Sequence, residues 1–135
     1  MRNTDLSKPQ SIISWICQVA AAVILFQTLF FKFTAAPESV YIFEQVGAEP
    51  FGRYASGVAE LIAGILLLIP ALSWAGAFFA MGVMAGAIGT HLTVLGIVVQ
   101  DDGGTLFALA VVVALASAVV AYLRRAAWLR FIPGR

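Results

Sequence analysis

Three ionisable side chains, Lys32, Glu60 and His91, stand inside stretches that are otherwise apolar. A charge placed within hydrocarbon is costly and persists mainly where it is paired or used. A lysine, a carboxylate and an imidazole at one depth would supply hydrogen-bond donors, an acceptor and a proton carrier whose ordinary pKa lies near neutrality. Such a set suits a polar ligand head that gains or loses protons. The plainer reading is that Lys32 and Glu60 neutralise each other and fix helix register, with His91 as a hydrogen-bonded packing residue. One histidine beside one glutamate falls short of the roughly three or four protein ligands of a metal site, so no metal site is read here.

Composition decides what must position these groups. Of 135 residues, 61% are hydrophobic and 11% charged, and the mean hydropathy is +0.96. That is more apolar surface than one soluble core of this size hides, so the chain is expected to be an integral membrane protein. The formal net charge of +1 leaves no basic face for nucleic acid. Cys17 is the one cysteine, which excludes an internal disulfide and a Cys-x-x-Cys redox pair; redox work would need a bound cofactor or a partner.

Four apolar runs, at about 12–33, 54–69, 72–99 and 105–122, approach or exceed the roughly 20 helical residues that cross a bilayer. The expected fold is therefore an all-α four-helix membrane bundle in a single domain. A signal peptide is a poor reading of the first run, because the apolar stretch is long and no small-residue cleavage site follows. Residues 37–47 read as a short amphipathic helix on the outer surface. Pro37 suits its first turn, Glu38 its N-terminus, Val40, Phe43 and Val46 recur at helical spacing, and Gly47 can stop it. Asp101-Asp102-Gly103-Gly104 reads as a tight outer turn.

Loop charge sets the expected orientation. Arg2, Lys8, Arg124, Arg125, Arg130 and Arg135 fall at the two ends, against Lys32, Arg53, Glu38, Glu44, Glu49, Asp101 and Asp102 on the other side. The positive-inside rule puts both termini in the cytoplasm, and Trp15, Trp74 and Trp128 fall at the same side. Counting 1.5 Å per residue, Glu60 lies about 9 Å below the outer edge near Tyr54 and His91 about 13 Å below an exit near Gln100. Lys32 is close to the outer end of the first span. Depth thus permits one cluster of the three.

Helical phase supports the second span in particular: Arg53, Gly57, Glu60 and Gly64 share a face, so small residues flank the carboxylate. On the third span His91 shares a stripe with Met84, Ile88 and Leu95, and Gly82 and Gly86 form a Gly-x-x-x-Gly edge. Gln27 points well away from Lys32 and is assigned a different contact.

The segments Phe30-Phe31-Lys32-Phe33 and Gly57-Val58-Ala59-Glu60-Leu61-Ile62-Ala63-Gly64-Ile65-Leu66-Leu67-Leu68-Ile69-Pro70 resemble the DoxX family of small four-helix bacterial membrane proteins. The likeness extends over the Met- and Ala-rich third span to His91. The glycine that often shortly precedes the family's lysine is absent; Thr28 and Leu29 stand there. The resemblance implies an inner-membrane location and a redox-associated role, since DoxX-like proteins include a subunit of thiosulfate:quinone oxidoreductase.

Two functions follow as expectations. In the first, the outer half of the bundle binds a quinone-like or other amphiphilic ligand through Lys32, Glu60 and His91, with Arg53 and Gln27 as further candidates. The chain carries no electron carrier of its own, so it would serve as a non-autonomous subunit beside a partner oxidoreductase, or as a homo-oligomer. In the second, the bundle is a scaffold or assembly factor whose Ala-rich fourth span, with Ala108, Ala110, Ala114, Ala116, Ser117, Ala118 and Ala121, meets a partner. A monomeric secondary transporter is disfavoured by the lack of an inverted repeat or broken helix.

Overall fold

A computed structural model describes residues 6–134. Six α-helices follow one another: α1 (Lys8–Phe33), α2 (Pro37–Gln45), α3 (Phe51–Leu68), α4 (Ser73–Thr90), α5 (Thr105–Leu123) and α6 (Arg125–Leu129). A 3₁₀ turn (Pro70–Leu72) leads into α4, and a π-helical turn (His91–Leu95) continues it. The chain is an all-α bundle with no strand among the described residues. Four helical segments, Lys8–Phe33, Phe51–Leu68, Pro70–Leu95 and Thr105–Leu123, are long and apolar enough to cross a membrane.

Local chemistry explains the boundaries. Ser7 and Gln10 form a reciprocal capping box at the start of α1, the Ser7 side chain accepting from the Gln10 N–H and the Gln10 side chain from the Ser7 N–H. These two bonds satisfy orphan amides that a helix start otherwise exposes. Pro37 opens α2, where its missing N–H costs nothing, and Gly47, at φ 74°, ends the segment as expected. The third span departs from expectation. It leaves α-helical geometry at Thr90 and ends at Leu95, short of Val99, because Gly96 adopts φ 80° and its carbonyl bonds back to His91 Nδ1 at 2.9 Å.

The helices pack in the cyclic order α1, α3, α4, α5, with α5 closing onto α1. Their shared core is built from Ala21, Leu25, Ala63, Leu67, Ala77, Ala80, Met84, Val113 and Val120. Small residues on several facing helices bring backbones close where lipid offers no hydrophobic drive to assemble. Part of the fourth-span stripe faces this interior. Ala110, Ser117 and Ala121 are buried within the bundle, Ala114 and Ala116 are half-buried, and only Ala108 and Ala118 are exposed. Conversely, Gly82 and Gly86 lie exposed, and a methyl group added at either would touch nothing. That Gly-x-x-x-Gly edge takes no part in packing the bundle.

The turn before α5 hangs on one carboxylate. Asp102 Oδ1 accepts from the Val99 and Gly104 N–H groups at 3.0 and 2.8 Å, and Oδ2 from Leu106 N–H at 3.1 Å. Burial would raise this carboxyl, but the three N–H donors, with His91 nearby, hold it below the usual carboxylate range. A depressed folded-state value makes the stabilisation complete above the unfolded value near about 3.9 and lost as pH falls below it. Asp102→Asn is therefore expected to cost about 1–2 kcal/mol at pH 7 and to flatten part of the stability loss below about pH 4. Unfolding midpoints in mild detergent between pH 3 and pH 7 check this; an unchanged acid slope would refute it.

Candidate functional site

Thr28 and Lys32 lie one turn apart on α1 and face Glu60 of α3. The Lys32 ammonium bridges both carboxylate oxygens, at 3.0 Å to Oε1 and 3.1 Å to Oε2. The Thr28 hydroxyl lies 2.8 Å from Glu60 Oε1 and 2.8 Å from the Leu25 carbonyl, and so shares its proton between them. The Glu60 side chain is 5% exposed and that of Lys32 14%. Here the chain places a charged donor and its acceptor inside an apolar bundle, where each group depends on the other for solvation.

Two glycines make this approach possible. A Cβ on Gly57 would sit 2.8 Å from the Phe33 ring, and one on Gly64 closer still to the Phe26 ring. Both rings come from α1, so Gly57 and Gly64 bracket Glu60 and admit the aromatic rows on either side of it, as the shared face predicted. Arg53, Gly57, Glu60 and Gly64 are all buried on this face.

Arg53 closes the end of the site. Its Nε lies 2.9 Å from Glu49 Oε1 and its Nη2 2.8 Å from Glu49 Oε2, while Nη1 donates to the Lys32 carbonyl. The guanidinium also covers the Tyr54 ring at 4.5 Å. A cation on the last carbonyls of α1 is favoured by that helix's dipole. Arg53 thus braces the backbone that carries Lys32 and leaves Glu60 to the lysine. Beside it, the Arg53 guanidinium's hydrogen bonds hold the Glu49 carboxyl below the usual range.

His91 does not join the cluster. It is buried, but its Nδ1 faces the Gly96 carbonyl and its ring meets the edge of Phe107 on α5 at 5.5 Å. Among the described residues it makes no hydrogen bond or ion pair with Lys32 or Glu60. The depth count assumed an unbroken helix to Val99; with the helix ending at Leu95, His91 sits near its end and faces the α5 side. Gln27 is also apart, exposed on the outward face of α1.

A second polar cluster lies at the opposite end of the bundle. Arg124 Nε donates to Ser14 Oγ at 2.8 Å and to Gln18 Oε1 at 3.0 Å, and Gln18 Nε2 donates to the Leu67 carbonyl at 2.7 Å. Arg124 is 5% exposed, so a residue counted as a loop charge is an interior one. Trp15 lies under its guanidinium at 6.0 Å, while Trp74 and Trp128 pack on Phe131 and Phe78 at the same end. The missed residues had a signal: Ser14, Gln18, Ala21, Leu25, Thr28 and Lys32 follow one four-three spacing, the inward stripe of α1.

Comparison of the chain with family models, with curated proteins and with solved structures gives no match.

Proposed function

We propose that the bundle binds the polar head of a quinone-like amphiphile at Thr28, Lys32 and Glu60, as a redox-associated subunit of a bacterial inner-membrane assembly. With both termini in the cytoplasm, this site lies in the outer half of the membrane. The observation that carries the reading is the buried Lys32–Glu60 pair with Thr28 on the same carboxylate, set between the Phe26 and Phe33 rings. Lys32 has three ammonium protons and bonds the two oxygens of one carboxylate, so a ligand carbonyl could take the third. Glu60 is the group that would accept the proton of a bound hydroxyl. Reduction of a quinone consumes two electrons and two protons; the electrons would come from a partner oxidoreductase, since this chain offers only acid–base groups. The redox association rests on the resemblance to DoxX-like proteins, and the place of the ligand on the ion pair.

The test is mass spectrometry of gently purified protein after organic extraction, on wild type, Glu60→Gln and Thr28→Val. A defined quinone or similar amphiphile is expected on wild type and reduced at least about tenfold on Glu60→Gln, since a lost charged hydrogen bond is worth about 1.5–3 kcal/mol. Thr28→Val keeps the ion pair, and guards against a variant that merely unfolds. Bulk lipid alone on all three folded proteins would overturn the proposal.

A further inference from the structure

Gln27 is a primary amide with no hydrogen-bond partner among the described residues, although its neighbour Thr28 is bonded to Glu60 at 2.8 Å. That bond places Gln27 at the depth of the buried carboxylate, six residues and about 9 Å along the helix from Phe33. Its position one residue beyond the inward stripe turns it toward lipid. An amide in hydrocarbon forgoes the hydrogen bonds it would make in water, which costs far more than leaving an apolar side chain there.

The surrounding face has a pattern. Ile13, Ile16, Ala20, Val23, Gln27 and Phe30 are all exposed and follow strict three-four spacing, the a and d positions of a heptad. A seam of this period packs against a like seam at a left-handed crossing of about 20°. A single polar residue at one such position is the device by which paired helices fix register and partner number.

We infer that a second copy of this chain docks along the outward face of α1, with the two Gln27 amides hydrogen-bonded to each other. The argument for a second copy is geometric and electrostatic. Two chains inserted with the same topology are related by a two-fold axis along the membrane normal, so α1 meets α1 in parallel and Gln27 arrives at the depth of Gln27. Each amide carries a donor and an acceptor, and therefore complements its own copy. A helix of another protein would need a matching polar group at that same depth. The inference is independent of the ligand reading, because Gln27 and Glu60 lie on different faces.

Single-cysteine scanning in native-like bilayers tests it, in a Cys17→Ser background. Ala20→Cys, Val23→Cys, Gln27→Cys and Phe30→Cys are expected to form disulfide-linked dimers, and Leu115→Cys on α5 and Gly86→Cys on α4 to remain monomeric. Gln27→Leu, with the reporter at Val23→Cys, is expected to weaken dimerisation about 3- to 20-fold, the range measured for interhelical side-chain hydrogen bonds in membranes. Crosslinking concentrated at position 86 or 115, no dimer at any position, or an unchanged dimer in Gln27→Leu would each overturn the proposal. All these positions are exposed in the single bundle, so loss of crosslinking would not reflect a collapsed fold.

Discussion

Glu60→Leu is expected to destabilise the bundle by about 3–5 kcal/mol, the cost of breaking a buried ion pair by removing one partner. Its size comes from what stays behind. Lys32 would keep a charge on a side chain only 14% exposed, and Thr28 would lose its acceptor on α3. Lys32→Met should cost a similar amount, because it leaves the carboxylate with Thr28 alone. The double variant is expected to recover most of the loss, since an apolar pair of similar volume carries no desolvation debt. Thr28→Val, which removes one hydrogen bond to the carboxylate and keeps the ion pair, should cost less, about 1.5–2 kcal/mol. Unfolding the four proteins in mild micelles gives the double-mutant cycle. Additive single losses would show that the two charges do not depend on each other.

The second large effect is expected at Gly76, where α4 crosses the end of α3. A Cβ there would stand 2.5 Å from the Leu67 amide nitrogen and 2.9 Å from the Leu66 carbonyl carbon. Both are backbone atoms, so no rotamer change can relieve the clash. The hairpin cannot open either: Ile69 and Leu72 are tied by turn hydrogen bonds, and the Ser73 hydroxyl holds the Pro70 carbonyl at 3.1 Å. Moving Leu67 would also pull its carbonyl from Gln18 and disturb the hydroxyl and amide that hold Arg124. Gly76→Ala should therefore cost about 3 kcal/mol, at the upper end of overpacking by one methyl. Gly82→Ala and Gly86→Ala, with open space around them, should instead gain about 0.5–1 kcal/mol of helix propensity. Similar melting points for Gly76→Ala and Gly82→Ala would contradict this account of the α3–α4 contact.

Much of this architecture is legible in residue order. Apolar runs mark the four spans, and Pro37 with Gly47 brackets α2, because the helix-start and helix-stop chemistry is local. The Lys32–Glu60 pair is also legible: its members share a depth, and Gly57 and Gly64 reveal which face of α3 takes a neighbour. Depth and the stripe His91 shares with Met84, Ile88 and Leu95 permit it beside them, but neither tells which neighbouring helix that stripe faces in the bundle. The π turn that ends α4 early depends on Gly96 and on a histidine-to-carbonyl bond five residues apart, which hydropathy does not register. Ser14, Gln18 and Thr28 are hard to single out because isolated neutral polar residues barely disturb an apolar run, and Arg124 because a basic residue after a span normally signals topology. The alanines of α5 show the converse ambiguity: small side chains permit close contact without saying whether the contact is inside the bundle or beyond it.

The layer between the two polar clusters has an electrical consequence. Gln18 and Thr28 are ten residues apart on α1, about 15 Å, and Ala21, Ala22, Leu25 and Ala63 fill the space between them at 0–1% exposure. Ser117, a buried hydroxyl of α5, bonds to neither end. The bundle is thus two polar layers held apart by an apolar one. Across that distance the charges of one end do little to steady those of the other, so substitutions at the two clusters are expected to add.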